Sequence, residues 1–395
     1  MQKIKSNNDS ARILIRSVNW LGDAIMTLPA LSLIRQTLPD AHIFLLVPQK
    51  LSDLWRGQPY ADTLLSFDPE WGILSTARLI RMARAQSALV LPNSPRSALE
   101  LWLSRIPLRV GFRAKWRRAF LTHAVAAAAD HAPMHKRSAA EVKHLVQNPA
   151  EIENVSYSPA AHHVYHYVHL ACNFLESLGA TPQLPADLTP HLKISPEKQK
   201  ELIDIFGIRE SSTASPLMGV NAGAEYGPAK RWPLDYFART MATLSAENNA
   251  RWLLFGGPSD RTQANELRAR CRSLYPGIVI YQLTGRTALS ELAPLASLCE
   301  IFLTNDTGPM HVAAAAGTTV LTPFLSTSPE LTCPGSPMDD KLHPNQHILL
   351  KASETPCSPC FLKQCPIDFP CARDIPPELV ISAIRNRLSR TESDR

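Results

Sequence analysis

Apolar positions along the chain fall into two trains of strand-like and helix-like segments. The first train opens with the β-type run "RILIRSV" (12–18). Ile25, Leu28, Leu31 and Ile34 then recur at helical spacing and share one face. "AHIFLLVP" (41–48) and "SALVLPNS" (87–94) read as further buried strands. "SPAAHHVYHYVHLACNFLESLGA" (158–180) predicts a long helix ending at Gly179, and the Pro-rich "TPQLPADLTPHLKISP" (181–196) reads as a linker.

The second train begins with a strand and Gly-rich loop at 215–224, followed by an amphipathic helix at 233–248. A strand at 250–258, a helix at 260–271, a strand at 278–285 and a helix at 289–299 continue it. "EIFLTNDTGPMHVAAAAGTTVLTPF" (300–324) is a strand–turn–helix–strand whose helix closes at Gly317. Strands alternating with helices predict parallel sheets with crossover helices. The expectation is an α/β protein of two doubly wound domains, residues 1–185 and 186–395, facing each other across an interdomain cleft. Ligands in such folds sit beyond the carboxyl ends of the strands.

Composition narrows this picture. The chain has 395 residues, 45% of them apolar and 19% charged, which excludes a disordered polyelectrolyte. No run approaches the roughly 18 apolar residues of a membrane span. The polar start "MQKIKSNNDSARILIRS" lacks the apolar core of a signal peptide. A cytoplasmic protein that touches a membrane surface is expected. The net charge of +6 hides an asymmetry: residues 1–150 hold 20 Lys or Arg against 10 Asp or Glu, whereas residues 151–395 are net −4. The first half therefore attracts anions more strongly.

Three loops carry candidate chemistry. In "SVNWLGDAIMTLPAL" (17–31), Gly22 allows a sharp turn and Asp23 follows at the start of a helix. Asp23 is either an N-cap or a carboxylate able to take a proton from an attacking hydroxyl. In "NAGAEYGPAKRWP" (221–233), small residues let a ligand approach the backbone beside Lys230 and Arg231, a pattern suited to phosphate. A solvated loop before a Pro-initiated helix is the alternative. In "NDTGPMH" (305–311), Asp306, Thr307 and Gly308 precede a helix at 309–316 whose free N–H groups favour a diphosphate, with His311 one turn inside. Simple capping by Asp306 or Thr307 and a structural His311 is the competing reading. No GxGxxG or Walker lysine motif occurs, so the ordinary dinucleotide and ATPase fingerprints are absent.

Two further features stand apart. The tract "RIPLRVGFRAKWRR" (105–118) holds six cations and no acid, interleaved with Phe112 and Trp116. A solvated face, nucleic acid or a phosphorylated lipid headgroup would each suit it; no nucleic-acid motif accompanies it. Four cysteines are scattered, Cys172, Cys271, Cys299 and Cys333, and four cluster in "CSPCFLKQCPIDFPC": Cys357, Cys360, Cys365 and Cys371. The cluster suits a structural zinc or redox-variable free thiols more than a disulfide framework, although the spacing is not that of a regular zinc ribbon.

Together "RSVNWLGDAIMTLPAL", "LPNSPRSAL" (91–99), "IPLRVGFR" (106–113), "NAGAEYGPAKRWP" and "NDTGPMHVAAAAG" resemble glycosyltransferase family 9, and within it the lipopolysaccharide heptosyltransferases of the heptosyltransferase II type. The resemblance runs from about residue 12 to 325. It implies a GT-B fold of two Rossmann-like domains, a nucleotide-sugar donor, ADP-L-glycero-β-D-manno-heptose, and an anionic lipid-linked acceptor, Kdo-lipid A, at the inner membrane surface. It places Asp23 as catalytic base. It places Asn221, Gly223, Glu225, Lys230, Asp306, Thr307, Gly308 and His311 at the donor, with Asp260 near its nucleoside. Charge alone nominates Arg113, Lys115 and Arg117 for the acceptor.

The chain has no Asp-x-Asp, in keeping with metal-independent transfer in which Lys230 and protein dipoles stabilise the leaving diphosphate. No catalytic cofactor is expected. Pro309 and the cysteine cluster depart from the best-known members. Another nucleotide sugar or glycan, or a non-catalytic sugar-nucleotide-binding protein, are the rival readings; nucleic-acid binding is not expected.

Overall fold

The computed structural model describes residues 11–114, 116–149, 157–209, 211–212, 214–335 and 347–393. The chain divides into two compact units, residues 1–131 with 163–193, and residues 132–162 with 194–395.

The first unit holds six parallel strands: β1 (Arg12–Arg16), β2 (His42–Pro48), β3 (Thr63–Phe67), β4 (Ser87–Val90), β5 (Leu108–Phe112) and β6 (His123–Val125). Their order is β3-β2-β1-β4-β5-β6. β1 lies between β2 and β4, with Leu14 opposite Phe44 on one side and Ala88 on the other. Four of its five residues are buried, as a continuous apolar strand with helices on both faces requires. Leu14, Phe44, Leu46, Ile80, Val90 and Leu101 join strands and helices in one apolar cluster.

The second unit repeats the plan with β7 (Leu217–Asn221), β8 (Arg251–Leu254), β9 (Val279–Gln282), β10 (Ile301–Thr304), β11 (Thr319–Phe324) and β12 (Ile348–Lys351). Its order, β12-β11-β10-β7-β8-β9, is the same winding read from the other edge, and again all strands are parallel. Each sheet therefore reverses its winding once, between β1 and β4 and between β7 and β10. In doubly wound sheets that reversal opens the crevice where ligands bind.

The long helix runs His163–Ser177, with Gly179 beyond it at φ +79°. The break expected at 185/186 falls at 193/194, because residues 181–193 stay with the first unit. Gln58 donates to the Lys193 carbonyl at 2.9 Å and the Tyr60 hydroxyl to that of His191 at 2.6 Å. The excursion 132–162 belongs with the second unit: the Arg137 amide donates to the Cys360 carbonyl at 3.1 Å and Val142 packs on Cys357 and Cys360. Among the described residues, no helix is long and apolar enough to cross a membrane.

Candidate active site

In the first unit the turn after β1 carries Asp23. Trp20 is the N-cap of the helix Leu21–Met26 and offers no side-chain cap, so Asp23 sits in the first turn as the third helical residue and is not itself the N-cap. Asp23 is half-buried and accepts a hydrogen bond from the phenol of Tyr167, on the helix His163–Ser177. Burial, then the Asp23 charge and this hydrogen bond, push the Tyr167 hydroxyl well above its ordinary pKa. Tyr167 therefore remains a neutral donor that orients the carboxylate.

The turn is held from below by Arg16, the last residue of β1. Its guanidinium donates to the Ser17 carbonyl and, at 3.2 Å, to Asn19 Oδ1. It stands 3.6 Å from Glu100, which is fully buried and also accepts from Arg96 Nε at 2.9 Å. Glu100 and Arg96 come from the helix after β4, so one ion-paired group ties together both loops at the winding reversal. Burial lowers the Arg16 pKa to about 10 against the opposing pull of Glu100, leaving it cationic at neutral pH. Sequence reading missed Arg16, Glu100 and Tyr167. A charge closing the apolar run 13–15 was the one available signal, at Arg16.

The basic tract 105–118 is not one solvated face. β5 runs through it and Arg117 is fully buried, which removes Arg117 from the acceptor candidates. Arg117 donates to Asn93 Oδ1 at 3.0 Å and to the Val90 carbonyl at 3.2 Å, bracing the loop after β4. Gly111 makes the room: a Cβ there would lie 2.7 Å from Arg117 Nη2. Burial lowers the Arg117 pKa to about 10. Arg113 is exposed, and Lys115 lies outside the described residues.

In the second unit the loops after β7 and β10 meet. Asn305 stitches them, donating to the Ala222 carbonyl at 2.8 Å and accepting from the Trp232 amide at 2.8 Å. Asn221 is buried and donates weakly to the Gly223 carbonyl and Thr304 Oγ1. Gly223 leaves space for Asp260, whose carboxylate carbon would stand 3.0 Å from a Cβ at that position. Asp260 itself accepts from the Gly257 amide at 2.8 Å. Glu225 is exposed on the same loop.

Lys230 ends the short 3₁₀ turn Pro228–Lys230, and its ammonium lies 2.6 Å from Asp306 Oδ2. The Thr327 hydroxyl donates to the same oxygen at 2.6 Å. Burial alone would raise the Asp306 pKa; Lys230, Thr327 and the nearby His311 outweigh it and hold the carboxyl below its ordinary range. The helix Gly308–Ala315 starts immediately after. Its N-cap, Thr307, makes no side-chain cap bond, so the helix start keeps amide groups for an anion. Pro309 in the first turn costs no hydrogen bond. His311 is buried one turn inside.

The cysteine-rich segment packs on this same region. The Tyr226 hydroxyl donates to the Phe361 carbonyl at 2.8 Å, and the Ala229 amide to that of Lys363 at 3.1 Å. The Phe361 amide and the Ser358 hydroxyl each donate at 2.7 Å to the stretch after β11, to Ser326 and Leu325. The four thiols are free, and Cys371 senses the charges of Cys357, Cys360 and Cys365. Even so, among the described residues no group of three or more His, Cys, Asp or Glu is placed to hold a metal ion. Cys357, Cys360, Cys365 and Cys371 do lie in one neighbourhood, as either reading of the cluster requires. Cys357 and Cys360 pack with Val142, and Cys371 joins the main core, where burial raises its pKa to about 12.

Gly227 sits where that brace is tightest. Its φ is +153°, and a Cβ would lie 2.5 Å from the Lys363 carbonyl oxygen. Gly227→Ala should cost about 2 kcal/mol of stability and weaken binding of a diphosphate by shifting Lys230. Chemical denaturation alongside diphosphate titration checks both.

The sequence model of glycosyltransferase family 9 (heptosyltransferase) matches residues 136–369. The lipopolysaccharide heptosyltransferase 2 of Salmonella typhimurium is 28% identical over 82% of this chain and 85% of its own. The lipooligosaccharide heptosyltransferase 2 of Campylobacter jejuni is 25% identical over 96% and 99%. Among solved structures, the ADP-heptose lipopolysaccharide heptosyltransferase II of E. coli superposes with a TM-score of 0.71 at 24% identity, covering 96% of this chain and 99% of that one. A glycosyl transferase family 9 structure from Veillonella parvula gives 0.70 at 22% identity, over 97% and 98%. The fold is accordingly GT-B, with two Rossmann-like units. With the family model spanning more than half of its length, this protein belongs to glycosyltransferase family 9.

Proposed function

We propose that this glycosyltransferase moves a heptose from ADP-L-glycero-β-D-manno-heptose to the inner core of lipopolysaccharide, on a Kdo-lipid A acceptor, with inversion at the anomeric carbon. The observation that carries the reading is the Lys230–Asp306 pair beside an uncapped helix start at the winding reversal of the second sheet. That arrangement suits a nucleoside diphosphate leaving group. Support for the sugar and acceptor comes from the names of the relatives, which are heptosyltransferases acting on lipopolysaccharide or lipooligosaccharide.

In this mechanism Asp23, oriented by Tyr167, takes the proton of an acceptor hydroxyl. The oxygen attacks C1 of the heptose while the bond from C1 to the phosphate oxygen breaks. Lys230 and the amides at the start of Gly308–Ala315 receive the negative charge that develops on ADP. Thr307 and His311 line that helix start. Asn221, Gly223, Glu225 and Asp260 form the nucleoside side, and Arg113 and Lys115 meet the acceptor's anionic groups. The enzyme works at the cytoplasmic face of the inner membrane, as a peripheral protein.

A transfer assay tests this. The chain is incubated with Kdo-lipid A and, in turn, ADP-heptose, UDP-sugars and GDP-sugars, and the product mass is read. A gain of one heptose from the ADP donor alone is expected. Efficient transfer from another nucleotide sugar would redirect the assignment, and no transfer from any would remove it.

A further inference from the structure

The first unit also carries a groove along two of its helices. With a volume of about 580 Å³, it lies between the helices Ile73–Met82 and Pro95–Leu103. Arg78, Arg81, Arg105 and Arg109 line it together with Leu74 and Trp102, and no acidic side chain does. Arg81 and Arg109 are steered by backbone carbonyls: Arg81 donates to Leu103 and Arg109 Nε to Phe120, both at 2.8 Å. Arg78 and Arg105 are exposed. Arg109 also donates to the carbonyls of Ile106 and Pro107, so Arg78 and Arg105 are the exposed cations of a groove that no carboxylate lines.

The apolar residues here are as unusual as the charges. Leu74 is 62% exposed, Met82 75% and Trp102 47%. Leu74, Arg78 and Met82 are each four residues apart on one helix, so they form one stripe along it. Arg81 and Leu103 close the C-terminal ends of their helices, toward the amino ends of the strands they lead into. Asp23 follows the carboxyl end of β1. Arg81, Arg105 and Arg109 therefore stand at the strand ends opposite to the one that Asp23 follows.

We propose that this groove docks the chain on an anionic phospholipid bilayer. The exposed guanidinium groups of Arg78 and Arg105 take headgroup phosphate oxygens, for which their forked donors are suited, and the positive charges of Arg81 and Arg109 add to the attraction. Leu74, Met82 and Trp102 enter the boundary between headgroups and acyl chains. A nucleic acid would satisfy the arginines but would give no use to exposed Leu74 and Met82. The inference rests on the peripheral-membrane part of the proposed function, and it names the surface responsible.

Vesicle co-sedimentation of the full chain tests it. Wild type should bind phosphatidylcholine–phosphatidylglycerol vesicles well, and phosphatidylcholine vesicles weakly. The double variant Arg78→Gln, Arg105→Gln should bind the mixed vesicles about 30-fold more weakly, given the usual contribution of each membrane-adjacent arginine. Leu74→Asp should also release the chain. Both variants should keep the wild-type thermal midpoint and unchanged turnover on a deacylated, water-soluble acceptor. Variants that fold normally and bind mixed vesicles as wild type does would overturn the proposal. So would wild-type binding that ignores phosphatidylglycerol, or single-stranded RNA that outcompetes the vesicles at this groove. Vesicle binding without any heptose transfer would sink the enzymatic reading and leave the docking surface intact; transfer without vesicle binding would do the reverse.

Discussion

Asp23→Ala should lower turnover by about 100- to 10,000-fold, the span ordinarily lost with a general base. Donor affinity should stay within about twofold of wild type, because a base assists only the proton transfer and makes no uniform contact with ground-state donor. The structure explains why Tyr167 should not substitute. Tyr167 donates to Asp23, and its hydroxyl is pushed well above its ordinary pKa, so it stays protonated and cannot take the carboxylate's place as base. Tyr167→Phe is the informative companion. It removes an orienting hydrogen bond and keeps the ring, so it should reduce kcat modestly, about tenfold, with little change in KM for the donor. Steady-state kinetics on the two variants separates the base from its support.

Lys230→Ala should have the second largest effect, and two effects are superimposed in it. Lost stabilisation of the departing diphosphate should lower kcat by about 100- to 1,000-fold. The same change strands Asp306, which is 3% exposed, without its 2.6 Å partner. Breaking a buried ion pair by removing one partner typically costs about 3 kcal/mol or more, so the variant should also melt early. The double variant Lys230→Ala, Asp306→Asn distinguishes the two. Removing the charge from both sides should restore most of the stability and none of the turnover. A double variant that regained both would show that Lys230 serves the fold and not the reaction.

Much of the architecture was legible in the chain. β1, β2, β4, β7, β8, β10 and β11 are near-continuous apolar runs, and buried parallel strands have to be. β3 escaped because four of its five residues are only partly buried or exposed, which weakens the apolar signal. β5 was hidden inside the basic tract, where Arg109 and Arg113 flank a buried Val-Gly-Phe. The misreading of Arg117 followed from the same tract. Nothing local says that Gly111 clears a pocket for its guanidinium. The loops at both winding reversals were found because their residue types are chemically specific. Their supports were not, since Tyr167 meets Asp23, and Thr327 meets Asp306, only through tertiary structure. The cysteine cluster is a further case. Its spacing suggested a metal or reactive thiols, and gave no sign that the carbonyls of Phe361 and Lys363 brace the Lys230 loop.

The central claim is that chemistry and nucleotide binding are divided between the two units, with Asp23 acting on the acceptor and Lys230 on the diphosphate. Calorimetric titration of ADP into wild type, Asp23→Ala and Lys230→Ala measures this division directly. The account predicts an Asp23→Ala protein that is nearly inert in turnover yet binds ADP as wild type does, and a Lys230→Ala protein whose ADP affinity falls about tenfold or more, the loss expected with one charge-assisted contact. Equal loss of ADP binding in both variants, or undiminished binding in Lys230→Ala, would contradict it.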